Sequence, residues 1–194
     1  MNKIEYGMKL DFSNVLIRPK RSTINSRSDV YLERTFKFKY SPLEWKGTPI
    51  ISANMDTTGT FEMYHVLKTH KIVTATHKFY NELDYLEALN EGGLDPDYFM
   101  VSTGIGPGSL ERLEKIFKYI DCHWICIDIA NGYIKKLIDF CQKVRELIPH
   151  CILIAGNVVT REMVEELILN GKVDITRIAS LWRQTLKNKA RRQR

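Results

Sequence analysis

Polar residues follow short apolar runs at several places in this sequence, and they are residue types that can bind a nucleotide or a cofactor. The clearest run covers residues 124–127 and ends in Asp128, with Asn131 and Gly132 just beyond. An aspartate in such a place can bind a ribose hydroxyl or a cofactor amide, or it can cap the next turn. Four further runs end in a similar way, and the polar residues at their ends include Asn54, Asp56, Thr76, His77, Lys78 and Asn157.

Two features could contact an anion. Lys78 could meet a phosphate or an anionic substrate, or it could be a solvated loop lysine. The glycine-rich segment 104–109 follows an apolar run and precedes a helical pattern, so its backbone amides could hold a phosphate. The alternative is a plain loop in which Ser109 caps the helix. The segment matches neither the dinucleotide fingerprint nor a P-loop, and the residues alone predict a ligand-binding protein rather than a particular reaction.

The apolar runs that position these residues recur at a nearly constant interval. Their centres lie near Ile50, Ile72, Phe99, Ile125 and Ile152, separated by 22, 27, 26 and 27 residues. Such an interval accommodates one strand, one helix and two short loops. Continuous apolar runs are typical of strands buried on both faces of a parallel sheet, and α/β folds bind ligands at the carboxyl ends of such strands.

The chain divides into three predicted segments. Residues 1–48 form a leader with a short hairpin built from 30–32 and 36–38, and residues 49–171 form a run of five βα units. Helical patterns lie at 60–70 and 81–91, and three more begin near Ser109, Ile134 and Thr160. A sixth strand is due near residue 175, but only four of residues 172–180 are apolar. We therefore predict no sixth strand and a basic, disordered tail over residues 172–194.

Charge, apolar runs and cysteine spacing limit the classes of protein to which this chain could belong. The net charge of +6 lies in the tail, because residues 171–194 contain eight lysines or arginines and one aspartate. The remainder is nearly neutral, so binding to nucleic acid is not expected. There is no apolar run long enough for a membrane helix, and the first residues lack the apolar core of a signal peptide, so we expect a cytoplasmic protein. The four cysteines are spaced for neither zinc nor redox chemistry, and we expect reduced, mostly buried thiols.

Several motifs occur in a fixed order along the chain. They are Lys9-Leu-Asp-Phe12, Arg18-Pro-Lys-Arg-Ser-Thr23, Ser26-Arg27, Ala53-Asn-Met-Asp-Thr57, His77-Lys78, Ala130-Asn-Gly-Tyr133 and Ala155-Gly-Asn-Val-Val-Thr160. Together they resemble GMP reductase, within the IMP dehydrogenase/GMP reductase family, and the resemblance covers about residues 8–171. An IMP dehydrogenase-like chain is the alternative, but that relative usually carries an inserted module, and only about twenty residues separate Lys78 from Tyr98.

The resemblance implies an α/β fold, the (β/α)8 TIM barrel, in an enzyme that is usually a homotetramer. It implies conversion of GMP and NADPH to IMP, ammonia and NADP, with a cysteine that attacks the purine and with potassium as an expected cofactor. Matched motif by motif, Ser26 and Arg27 would reach NADPH bound mainly by a neighbouring subunit. The cofactor contacts within the chain would be Lys78, Asp128, Ile129 and Ala130.

The chain also departs from the family pattern. The loop that delivers the nucleophilic cysteine, the potassium site and nearly all GMP contacts would lie beyond Gly171, where this sequence differs. The glycine-rich segment 104–109 resembles that loop but lies in another unit, and none of the four cysteines matches the nucleophile. We therefore predict an incomplete barrel, truncated before its catalytic cysteine, with no catalytic or metal-binding residue and no activity alone. The alternative is a non-catalytic partial barrel that associates with full-length subunits.

Overall fold

The computed structural model describes residues 7, 8, 10 and 12–178. Residues 32–178 form one compact unit, and the described residues before them belong to a second. That second unit contains two 3₁₀ helices, Phe12–Asn14 and Arg27–Asp29. Ser26 caps the latter, because its hydroxyl accepts from the backbone N–H of Ser28 at 3.2 Å and its own N–H donates to the Asp29 carboxylate at 3.0 Å.

An antiparallel hairpin begins the larger unit. Its strands are β1, Arg34–Lys37, and β2, Glu44–Gly47, with Phe36 opposite Trp45. The predicted hairpin is therefore present, but its strands lie elsewhere, and residues 30–32 are not a strand. The physical reason is the aromatic pairing: Phe36 stacks on the buried ring of Trp45 at 6.0 Å between centroids.

The hairpin is followed by five βα units and a sixth strand. The six strands form one parallel sheet in which each pairs with the next along the chain. This curled sheet with its helices is an incomplete (β/α)8 barrel, which confirms the predicted α/β fold. The strands are β3 (Ile51–Ser52), β4 (Val73–Ala75), β5 (Phe99–Thr103), β6 (Trp124–Asp128), β7 (Ile152–Val158) and β8 (Ile175–Ile178), and the helices are α1 (Phe61–Thr69), α2 (Glu82–Gly92), α3 (Ser109–Tyr119), α4 (Lys135–Leu147) and α5 (Arg161–Leu169).

The prediction that no sixth strand follows Gly171 is wrong. β8 pairs in parallel with β7, from Ile175 beside Ile154 to Ile178 beside Val158. It is half-buried with an exposed last residue, whereas β7 is buried throughout. Among the described residues β8 has a neighbour on one side only, so it does not need the continuous apolar run that the prediction required. Residues 179–194, the rest of the predicted tail, lie outside the described residues.

Two indoles join the hairpin to the base of the sheet. Trp45 from β2 and Trp124 from β6 both donate to the backbone carbonyl of Asp97, at 2.9 and 3.1 Å. Their rings meet edge to face, with centroids 5.4 Å apart and planes at 87°. The shared acceptor fixes β2 against the amino end of β6, below the carboxyl edge described next.

Candidate functional site

Asp128, the last residue of β6, is the centre of a polar network at the carboxyl edge of the sheet. The carboxamide of Asn54, which follows β3, donates to one carboxylate oxygen at 3.0 Å. Asn157 in β7 donates to the other at 3.4 Å. Because these residues end or follow strands of one parallel sheet, their side chains converge as the strand order predicts.

Arg177 in β8 completes the network and was missed at the sequence level. Its guanidinium lies 3.0 Å from the Asp128 carboxylate and also donates to the Asn54 carbonyl oxygen at 3.1 Å. Burial lowers the pKa of Arg177, but the attraction of Cys126 and Asp128 outweighs it and the pKa is raised overall. The signal that could have found Arg177 is the strand interval, which placed a sixth strand near residue 175.

Two glycines allow the strand ends to come close. The backbone N–H of Gly132 donates to the carbonyl of Asn157 at 3.0 Å, and a Cβ on Gly132 would lie 2.4 Å from that oxygen. A Cβ on Gly156 would lie 2.6 Å from the carbonyl oxygen of Arg177. Neither place can hold a side chain without moving backbone, so both glycines help to position the Asp128 network.

The other predicted cofactor residues lie in different settings. Ile129 is half-buried and its backbone N–H and carbonyl both bond to β7, whereas Ala130 is exposed. Lys78 is exposed, with its ammonium 5.7 Å from the Phe79 ring centroid, and it makes no hydrogen bond to the Asp128 network. Ser26 and Arg27 are exposed residues of the other unit, at the start of the second 3₁₀ helix.

The structure also shows the positions of two further polar residues, His77 and Ser109. His77 stacks on Tyr80 with ring centroids 3.8 Å apart, and its Nδ1 accepts from the backbone N–H of Phe79 at 3.3 Å. Ser109 is the first residue of α3 rather than its cap, because Gly108 at the N-cap has a φ of 77° that favours glycine. The prediction of a Ser109 cap is therefore wrong.

A cavity of about 260 Å³ lies beneath the network on the inner face of the sheet. Its walls come from both edge strands and from the strands between them. They include Ile51, Ser52, Asn54, Met100, Cys126 and Arg177. Asn54 and Arg177 therefore belong both to the wall of this cavity and to the Asp128 network.

Residues 9–179 match the model of the IMP dehydrogenase / GMP reductase domain. The chain belongs to this family. It is similar to the GMP reductase of Klebsiella pneumoniae, with 49% identity over 178 residues, which is 91% of this chain and 51% of that protein. It is 48% identical over 180 residues to the GMP reductase of Yersinia enterocolitica, again covering 91% of this chain and 51% of that protein. The chain spans about half the length of the curated relatives it matches.

Among solved structures, the chain is similar to inosine 5′-monophosphate dehydrogenase from Legionella pneumophila. The TM-score is 0.67 at 25% sequence identity, covering 86% of this chain and 49% of that one. This similarity agrees with the partial α/β barrel described above.

The cysteines of this IMP dehydrogenase/GMP reductase family member are all buried and free. Burial raises the pKa of Cys122, Cys141 and Cys151 to about 12. Burial also raises the pKa of Cys126, and the nearby Arg177 guanidinium opposes that rise. Since the thiolate is the nucleophile, a raised pKa lowers the fraction of each thiol that is ready to react.

Two kinds of feature are absent from the part of the chain that the structure describes. No group of three or more His, Cys, Asp or Glu residues there could hold a metal ion. In the same part of the chain, no helix has the length and apolar character needed to cross a membrane.

Proposed function

We propose that this chain is the cofactor-facing part of a GMP reductase, which uses NADPH to convert GMP to IMP and ammonia. The observation that supports it is the Asp128 network, formed by Asn54, Asn157 and Arg177 in a chain 49% identical to a GMP reductase. This network lies at the edge of the sheet where barrel enzymes bind their ligands.

The residues present fit one part of a nicotinamide dinucleotide. An ionised carboxylate has about four acceptor positions, and three side chains donate to Asp128. One position remains for a carboxamide or ribose donor. The exposed ammonium of Lys78 can meet a phosphate, and Ala130 offers an exposed backbone beside Asp128. NADPH, when bound, supplies the hydride, and the role of these residues is to orient it.

The remaining expectations belong to the same proposal. Ser26 and Arg27 reach a cofactor bound by a neighbouring subunit in a cytoplasmic tetramer, and potassium serves the family enzyme. The chain turns over no GMP alone, because its thiols are buried and protonated and none can attack the purine.

Binding and turnover test the proposal separately. NADPH should bind to the purified chain and change its nicotinamide fluorescence, while GMP and NADPH together should give no loss of absorbance at the reduced-nicotinamide band. Asp128→Asn should weaken NADPH binding about tenfold by removing a charged acceptor. Glu146→Gln, which changes an exposed acid on α4, is the matched control and should leave binding unchanged.

Three results would contradict the proposal. Equal NADPH affinity in Asp128→Asn and in the unmodified chain would exclude Asp128 as a cofactor contact. Turnover of GMP by the chain alone would exclude the predicted inactivity. Reduction of oxidised cofactor with IMP would favour the dehydrogenase reaction.

A further inference from the structure

The turn after β4 exposes Lys78 between two half-buried residues, and we name residues 77–80 the Lys78 turn. It lies at the carboxyl edge of the sheet, the same edge at which the parallel strand β6 ends in Asp128. Lys78 and Phe79 at its centre are exposed, whereas His77 and Tyr80 on either side are half-buried. The contacts of these two flanking residues therefore decide how freely Lys78 can move.

Ring stacking and a backbone hydrogen bond hold the flanking residues. The Tyr80 ring stacks on His77 and on Phe61 of α1, with centroids 3.8 and 4.3 Å apart. The backbone N–H of His77 donates to the carbonyl of Gly59 at 2.9 Å. A Cβ on Gly59 would lie 2.9 Å from that same nitrogen, so glycine permits the close approach. These contacts attach the Lys78 turn to the start of α1.

Arg112 of α3 attaches the same turn to the neighbouring strand. Its guanidinium donates to the Tyr80 carbonyl through Nε, at 2.9 Å, and also through Nη2. Its Nη1 donates to the carbonyl of Ser102 in β5 at 3.1 Å. The rigid fork of an arginine can hold two carbonyls in a fixed geometry, whereas the ammonium of a lysine acts as a point charge. One side chain thus fixes the end of the Lys78 turn relative to β5.

Arg112 differs from a surface arginine in its surroundings. It is half-buried, and burial lowers its pKa from the ordinary value. Withdrawing a guanidinium from water costs solvation free energy, which hydrogen bonds to the carbonyls of Tyr80 and Ser102 offset. The guanidinium is therefore held mainly by these two backbone segments.

We propose that Arg112 is a positioning residue for the cofactor, which acts through the Tyr80 carbonyl to hold Lys78 where its ammonium meets a phosphate of NADPH. This inference rests on the proposed function, in which Lys78 contacts the cofactor. A turn that is already held loses less conformational entropy when a ligand binds, so the ligand binds more tightly. Without the guanidinium the turn keeps its ring contacts but loses its attachment to β5, and the ligand must then order Lys78.

A double-mutant cycle on NADPH affinity tests this role. Arg112→Met should raise the dissociation constant about fivefold, the cost of ordering one long side chain on binding. Lys78→Met should raise it about tenfold by removing a charged donor. In a chain that already carries Lys78→Met, the further change Arg112→Met should have an effect below about twofold, because the side chain that Arg112 positions is gone.

Two more variants complete the design. Lys115→Met removes an exposed positive charge from the same helix and should leave the affinity unchanged, so it is the matched control. Arg112→Lys keeps the charge without the fork and should raise the dissociation constant less than Arg112→Met does. Far-ultraviolet circular dichroism checks the fold of every variant, and Arg112→Lys takes the place of Arg112→Met in the cycle where the latter does not fold.

Three results would overturn the inference while the proposed function stands. They are equal affinities in Arg112→Met and Lys115→Met, an unchanged affinity in Lys78→Met, and the same fold-change for Arg112→Met with and without Lys78→Met. The last result would show a purely structural arginine, because general loosening of the fold affects both backgrounds alike. Absence of NADPH binding by the unmodified chain would contradict the proposed function, and this inference with it.

Discussion

Arg145 in α4 and Asp174, which precedes β8, form a buried ion pair with the guanidinium nitrogen 2.7 Å from the carboxylate. The Asp174 side chain is fully buried, and it also accepts from the backbone N–H groups of Tyr40, Ser41 and Leu153. One carboxylate therefore joins four parts of the unit, namely the segment between the hairpin strands, α4, β7 and the start of β8.

Replacing Asp174 should lower the urea concentration at which the larger unit unfolds. Asp174→Ala leaves the Arg145 charge buried and unpaired, so we expect a loss of about 3–5 kcal/mol in the free energy of unfolding. Urea denaturation followed by circular dichroism measures it. Glu44→Ala breaks the exposed pair with Lys37 and should cost at most about 1 kcal/mol. Equal losses in the two variants would show that the Asp174 pair has no special role.

Arg177 should act on cofactor binding through Asp128. Arg177→Met removes the donor that holds the Asp128 carboxylate, and we expect the dissociation constant for NADPH to rise about tenfold. Arg177→Lys keeps the charge and should recover part of the affinity. Arg161→Met removes an exposed arginine that pairs with Glu165 on α5 and serves as the control. A value for Arg177→Met that matches this control would contradict the prediction.

The buried thiols predict a fall in stability at alkaline pH. In the unfolded chain they ionise near the ordinary pKa of 9.0, whereas Cys122, Cys141 and Cys151 stay protonated in the folded chain until about 12. The unfolded state therefore binds fewer protons between these values, and the free energy of unfolding should decrease as pH rises from about 9. This contribution is fully present below pH 9.

Thiol labelling gives an independent check on the same burial. At pH 8 the native chain should react slowly with a thiol reagent, whereas the denatured chain should expose all four cysteines. One thiol that reacts at once in the native protein would contradict both the structural role of the cysteines and the predicted inactivity.

Tyr133 should stabilise the start of α5 more than Thr160 does. Thr160 occupies the N-cap position, but its side chain makes no capping bond. The Tyr133 hydroxyl instead accepts from the backbone N–H groups of Val159 and Thr160, at 3.0 and 2.9 Å.

We expect Tyr133→Phe to lower the free energy of unfolding by about 0.5–1.5 kcal/mol, because it removes an acceptor shared by two backbone donors, which must then bond to water. Thr160→Ala should cost less than about 0.5 kcal/mol, since no bond is lost. Thermal unfolding compares the two, with the exposed Tyr119→Phe as a further control. A larger loss in Thr160→Ala would reverse the assignment.

Local patterns predicted the interior of the fold well and its edges poorly. Residues of β5, β6 and β7 are buried on both faces, so their apolar runs were visible in the sequence. β8 is an edge strand with an arginine on its inner face, and its composition resembled a polar tail. The predicted hairpin strands were misplaced because Phe36 pairs with Trp45 in β2 and not with residues 30–32.

The sequence predicted where the candidate site lies, but it did not predict which side chains contact one another there. Strand-end position identified Asp128, Asn54 and Asn157, because parallel strands bring their carboxyl ends together. Arg177 lies 123 residues from Asn54 along the chain, and no local pattern connects two residues so far apart. Their contact depends on the curl of the whole sheet, which arises from packing and strand twist rather than from either segment.

The carbonyl of Asp97 that holds both Trp45 and Trp124 gives the protein an optical signal of its own. Two indoles held at 5.4 Å and 87° should couple their electronic transitions, and we expect a near-ultraviolet circular dichroism band from the pair. Detachment of the hairpin would separate the chromophores and abolish that band while the helices of the sheet region still absorb in the far ultraviolet. Hairpin docking can thus be timed without any added dye.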